Sequence, residues 1–263
     1  MDLVLSQLPY VCVGVFAGVA SGLFGIGGGI IIVPFGLALG LSSHHAIAMS
    51  VVQMIFSSVF GSYLNYKKNN LNVKDGLFVG FGGLVGASFS GLVVNFFSDI
   101  ALTAIFLAVS VSFFLKYFFG AKNVIVKRQR SVLSKQIILV CSGAFVGLFA
   151  ISLGIGGGLQ LAAILGFLLG YDSKQVTRLA LFYVLFASIS GTFSFMRENV
   201  IDESVIHSGV VVAIGSLIGV FIGTKIMEKI KLTSHRKALL CVYIFSIVMT
   251  SINLLRKMQI LAF

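Results

Sequence analysis

From Leu3 to Tyr66 the chain carries no Asp, Glu, Lys or Arg. A soluble domain, with about 25% charged residues, cannot go so far without placing charge on its surface. A membrane helix needs about 20 mostly apolar residues, so this run alone supplies two to three crossings. Further uncharged runs cover 76–98, 100–115, 136–171, 179–196, 208–224 and 238–255. Across 263 residues, 58% are hydrophobic and 10% charged, and the mean hydropathy is +1.07. The pattern predicts an all-α polytopic membrane protein, because a transmembrane barrel would show short alternating segments instead. It excludes an ordinary soluble enzyme, a disordered chain and a nucleic-acid-binding domain. The net charge of +11 is assigned to basic loops at a membrane surface. Cys12, Cys141 and Cys241 lie inside apolar runs at wide spacing and are read as small buried side chains. The N-terminus lacks a basic n-region and a cleavage site, so the first apolar segment is expected to stay in the mature protein.

The chain repeats itself. Phe24-Gly25-Ile26-Gly27-Gly28-Gly29 returns as Leu153-Gly154-Ile155-Gly156-Gly157-Gly158. With one inserted residue the alignment runs on, Ser43 onto Ser173, Ser58 onto Ser188, Gly61 onto Gly191 and Asn69 onto Asn199. A further shift places Gly82-Gly83-Leu84-Val85-Gly86 on Gly215-Ser216-Leu217-Ile218-Gly219. Two repeats, 1–119 and 136–263, therefore flank a linker, 120–135, that carries Lys122, Lys127, Arg128, Arg130 and Lys135. Each repeat opens on a Gly-interrupted apolar segment, 8–41 or 137–169. Three helices follow, at 44–66, 76–97 and 100–119 and again at 174–196, 204–226 and 236–257.

Lys and Arg counts give orientation. The linker with Lys116 holds six and is expected in the cytoplasm. The loop at 67–75 holds three against one at its repeat partner, 197–203, whereas 98–99 holds none against five at 225–237. Equivalent loops with opposite bias are the signature of an inverted repeat. This demands an odd number of crossings per half, met by three helices plus a re-entrant hairpin or by three helices plus two short spans. A hairpin is favoured, because arms of about 16 residues reach about 24 Å, short of a span. With no Trp, the segment-end residues Tyr10, Tyr66, Tyr117 and Tyr171 are expected to anchor the interfaces.

The Gly tracts are the first candidate site. A Gly-rich break frees backbone N–H groups from helix bonding, and Gly reaches the positive φ that points them one way. Such a nest, followed by a helix N-terminus, attracts an anion. The candidates are Gly25, Gly27, Gly28 and Gly29, with Gly154, Gly156, Gly157 and Gly158. The structural alternative is a tight turn or close helix contact. On the next helix Ser50, Gln53, Ser57 and Gly61 share one face, and Tyr183 is the repeat partner of Gln53. Their donors could complete an anion's coordination, or their small residues could serve packing. Arg178, one turn into its helix, could clamp an oxyanion or snorkel to the interface. The faces Gly82, Gly86, Ser90 and Gly215, Gly219, Gly223 should be helix contacts.

No carboxylate falls in mid-membrane, since Asp2, Asp75, Asp99, Asp172, Glu198, Asp202, Glu203 and Glu228 all lie at or near predicted loops. There is no HExxH, no G-x-S-x-G and no Walker lysine, so no catalytic residue, metal or cofactor is assigned. The expected partners are the bilayer and a small anion, with room for a homodimer and no role for nucleic acid. The Gly tract followed by Val33-Pro34, then Ala48-Met49-Ser50 and Ser58-x-x-Gly61, resembles the TauE/SafE family of sulfite and organosulfur-anion transporters. The second half departs from that pattern at Ala163, where a Pro would echo Pro34, and at Arg178-Leu179-Ala180. The resemblance implies movement of sulfite, sulfoacetate or related sulfonates across a cell membrane, as in a bacterial inner membrane. An exporter is the leading expectation, because an inside-negative potential drives anions outward; a channel or an uptake carrier is the alternative.

Overall fold

The computed structural model describes residues 2–119 and 131–258. The basic positions Lys122, Lys127, Arg128 and Arg130 and the side chain of Tyr117 lie outside the described set. All described secondary structure is helical: α1 (Asp2–Phe24), α2 (Gly29–Ala38), α3 (Ser43–Lys67), α4 (Val73–Ala87), α5 (Ser90–Phe96), α6 (Asp99–Phe119), α7 (Val132–Ser152), α8 (Gly158–Leu169), α9 (Ser173–Arg197), α10 (Glu203–Lys229) and α11 (Leu232–Lys257). Eight spans are long and apolar enough to cross a membrane, with α4 and α5 together making one of them, Val73–Phe96. The chain is thus a multi-pass membrane protein.

Helix ends follow local chemistry. Ser42, Asn72, Ser131, Asp172 and Asp202 each accept a backbone N–H of the first turn they precede, in α3, α4, α7, α9 and α10. Asn69 and Asn199, aligned in the sequence repeat, both take positive φ, 53° and 55°. Each closes its helix in the same way: Asn70 N–H bonds Asn65 O (3.0 Å), and Val200 N–H bonds Phe195 O (2.8 Å). The break between α4 and α5 has a side-chain cause that the repeat pattern does not reveal. Ser194 of α9 accepts from Gly91 N–H (2.9 Å) and donates to Ser88 O (2.8 Å), replacing helix bonds with its own.

Packing turns on small residues. α1 lies along α10 in the same direction, with Gly14, Gly18 and Gly22 against the backbone of residues 212–224, and Gly215, Gly219 and Gly223 against that of 11–23. α4 lies along α7 likewise, through Gly82 and Gly86 facing Gly143 and Gly147. The two expected glycine faces are therefore close helix contacts. α3 and α9 pack on each other and are the most buried spans, while α6, α7 and α11 turn most of their surface outward. That outward surface is apolar, including Phe118 and Phe119 of α6, Phe145 and Phe149 of α7 and Ile244 and Phe245 of α11, as lipid contact requires.

The cysteines correct the sequence reading: Cys12, Cys141 and Cys241 are all exposed on helix flanks. In lipid an outward face is as apolar as a core, so position in an uncharged run does not report burial. Tyr171 also differs from a simple interfacial anchor. Its hydroxyl donates to the buried Asp75 carboxylate (2.6 Å), which Lys135 pairs with at 2.8 Å. Burial, then the Asp75 hydrogen bond, raises the phenol above its usual range, so it remains a donor.

The polar contacts sort helix ends into two groups. Lys68 pairs with Glu228 (2.6 Å), Lys135 with Asp75, and Arg236 donates to Phe118 O (3.0 Å). At the other end Lys257 pairs with Asp99 (2.7 Å), Ser43 N–H bonds Asp99, and Asn95 donates to Glu198 O (2.8 Å). α3 therefore runs from the Asp99 end to the Glu228 end, and α9 runs the opposite way.

A Cβ at Gly219 would collide with the Val15 carbonyl, whereas one at Gly166 meets nothing nearer than 3.6 Å. Gly219→Ala should lower stability by about 1–3 kcal/mol through forced separation of α1 and α10. Gly166→Ala should be neutral or raise it by up to about 1 kcal/mol through helix propensity. Thermal unfolding of both variants in detergent checks the contrast in sign.

Candidate functional site

The two Gly tracts meet. A Cβ on Gly29 would run into the carbonyl oxygen of Gly154, and a Cβ on Gly158 would run into that of Gly25. Aligned residues thus contact each other reciprocally, and only hydrogen fits at either crossing. Within the tracts the dihedrals also match: φ is 71°, 76° and 90° at Gly25, Gly27 and Gly28, and 66°, 82° and 83° at Gly154, Gly156 and Gly157. L side chains rarely adopt these angles, so the tract sequence follows from the backbone path.

The path leaves donors free. α2 and α8 begin at Gly29 and Gly158 in the protein interior, with Gly28 and Gly157 as N-caps that offer no side chain. Every residue of both tracts is buried. Among the described residues no acceptor is bonded to the N–H groups of Gly27, Gly28 and Gly29, or of Gly156, Gly157 and Gly158. Each helix start also presents about half an elementary positive charge. Unsatisfied buried N–H groups are rare in folded proteins, and two clusters of them at one junction form a donor-rich site.

The predicted side chains divide. Ser50 is fully buried and donates to Gly154 O at 2.9 Å, tying α3 to the second tract. Gln53, one turn on, is fully buried, and neither its oxygen nor its nitrogen has a partner among the described residues. Ser57 is buried but spends its proton on Met54 O (3.2 Å), within its own helix. Tyr183, the repeat partner of Gln53, is fully buried with an unpartnered hydroxyl, its ring edge against Gly157 and Gly83. Arg178 is not brought to the tracts. Its Nε donates to Lys174 O (3.1 Å) in the first turn of α9 and its Nη1 to the loop carbonyl of Asn70 (3.3 Å), so its guanidinium serves backbone at the helix end. The backbone of Thr177, one residue before it, does touch Gly25.

Sequence reading missed two neighbours. Among the described residues, Gln160, in the first turn of α8, has a buried amide oxygen without a partner, and Ser21, one turn before the first tract, has a fully buried, unpartnered hydroxyl. Gln160 had a legible signal, as the single amide in an otherwise apolar helix. An unpartnered buried polar group costs about 1–3 kcal/mol, so each is a candidate for a ligand or water contact.

Eight candidate spans around a buried, donor-rich junction, with none of the enzyme motifs sought above, define a helical membrane protein of the transporter class. The sequence profile of the sulfite exporter TauE/SafE family matches residues 10–250, and the chain belongs to that family. It is similar to probable membrane transporter protein MJ0441 of Methanocaldococcus jannaschii, 26% identical over 84% of this chain and 86% of the relative. It is also similar to probable membrane transporter protein YdhB of Bacillus subtilis, 27% identical over 82% of this chain and 90% of the relative. No solved structure matches it significantly.

Gln53→Leu removes an unpartnered buried amide at nearly constant volume. It should stabilise the anion-free protein by about 1 kcal/mol or more. Thermal unfolding in anion-poor buffer reads this out, and destabilisation would mean that Gln53 has a protein partner.

Proposed function

We propose that this TauE/SafE transporter carries a small sulfur-containing oxyanion, such as sulfite or an organosulfonate, bound between the two Gly tracts. The observation that carries the reading is the reciprocal contact of two uncapped, buried helix starts whose N–H groups are unpartnered. Gln53 and Tyr183 would add one neutral donor from each half. An oxyanion with several acceptor oxygens fits such a donor set, and a cation does not.

The halves form an inverted repeat, each with a re-entrant hairpin, α1–α2 and α7–α8, entering from opposite sides. What supports this is the opposite course of α3 and α9, the parallel pairs α1 with α10 and α4 with α7, and the short α2 and α8. α1 ends near Thr224, short of the end of α10, and α2 then leads back to the start of α3. The linker and the Glu228 end face the cytoplasm of a cell membrane, where most Lys and Arg gather.

Full burial of both tracts favours a carrier over a channel, since neither side has open access to the junction. Rocking of one half against the other would open it to each side in turn. Export is the favoured direction: an inside-negative potential contributes about 2.3 kcal/mol per elementary charge per 100 mV, with no coupling ion required.

Two measurements test this. Cysteines introduced at positions 69 and 199 should label from opposite sides of the membrane; labelling from one side would remove the inverted repeat. Proteoliposomes loaded with sulfite should release it in a saturable, voltage-stimulated way, faster with external substrate anion. Non-saturating flux would favour the channel.

A further inference from the structure

We propose that the junction selects its cargo by charge: it takes monoanions, such as hydrogensulfite or a simple sulfonate, and rejects dianions. The inference rests on the reading that the two tracts bind the transported anion.

The positive potential at the junction comes from two helix starts. Each supplies about half an elementary charge, so together they balance about one negative charge. The buried side chains against them, Ser50 and Tyr183, are neutral, as is Gln53, one turn from Ser50 on α3. Four of the full cations on the surrounding elements are engaged elsewhere. On α9, Arg178 serves the Lys174 and Asn70 carbonyls, and Lys174 reaches the Glu228 carbonyl at the end of α10. Lys135 of α7 pairs with Asp75 of α4, and Lys257 of α11 with Asp99 of α6. On α3, His44 contacts Val94 O at the Asp99 end. Among the described residues the buried acid or imidazole groups are Asp75, held by Lys135, and His235. His235 lies at the edge of the first tract. Its Nε2 lies 2.9 Å from Leu23 O, and its ring packs against Phe24 with centroids 4.8 Å apart.

Charge number then decides. The cost of taking an ion out of water grows with the square of its charge, whereas attraction to fixed dipoles grows only linearly. A second negative charge therefore adds more desolvation than two helix starts and neutral donors return. A resident Arg or Lys would reverse the balance, and none of the described residues places one at the junction. Dianions of similar acceptor geometry, such as sulfate and thiosulfate, fall on the rejected side, and so does the doubly charged sulfoacetate, which narrows the cargo that the family resemblance implies. Sulfite changes class near neutral pH, as hydrogensulfite loses its proton, while methanesulfonate holds one charge throughout.

That difference is the test. Calorimetric binding to the purified full chain would compare sulfite, methanesulfonate and sulfate across the pH range in which hydrogensulfite deprotonates. Once hydrogensulfite is the minor form, apparent sulfite affinity should fall about tenfold per pH unit. Methanesulfonate affinity should stay level, and sulfate should not compete. Titration of His235 would move both monoanions together, and His235→Gln should leave their difference intact. Level sulfite affinity, competition by sulfate on a par with methanesulfonate, or a pH dependence that vanishes in His235→Gln overturns the charge rule. Failure of all three anions to bind at any pH removes the anion site itself, and the rule with it.

Discussion

The crossing of two glycine backbones organises this protein. Where Gly29 meets Gly154 and Gly158 meets Gly25, the approach is so close that no side chain fits at the helix starts. Two chain breaks are thereby held together in the interior, where backbone polar groups have no water to turn to. Everything around the junction serves to keep it there. α3 and α9 clamp it from within the bundle, Ser50 of α3 reaching across to Gly154. The glycine-lined pairs α1 with α10 and α4 with α7 fix the helices that deliver each tract.

The proposed anion site draws its symmetry from the same crossing. Pseudo-equivalent tracts offer matching N–H groups, which suits a small anion with several oxygens. The flanking side chains are not equivalent. Gln53 stands where the other half has Tyr183, and Gln160 has Ile31 as its counterpart two residues past the tract. Such differences give a pseudo-twofold site a preferred orientation for a ligand with one distinct substituent. Neutral donors also leave the charge balance to the helix starts, so in the proposed function an anion is held there without a buried ion pair to trap it.

Much of the architecture was legible because charge placement in a membrane chain is sparse and costly. The expected boundaries of the six long helices after the tracts fall within a few residues of those observed, since Lys, Arg, Asp and Glu collect at the ends. The tracts were legible because GIGGG occurs twice at aligned positions. Burial was not. Cys12, Cys141 and Cys241 face outward, because lipid-facing and core-facing positions share one composition. Arg178 was ambiguous for a related reason: a long side chain one turn into a helix can reach inward or outward, and only the Asn70 carbonyl decides between them. The α4–α5 break depends on Ser194 from a distant helix, and nothing local in the chain encodes it.

The account stands on the tract N–H groups being the anion's donors. Amide NMR of the protein labelled with 15N-glycine, titrated with methanesulfonate, examines them directly. The account predicts that resonances of Gly27, Gly28 and Gly29 and those of Gly156, Gly157 and Gly158 shift together and saturate at one common affinity. Shifts confined to one tract, or to glycines outside both while transport persists, would contradict it.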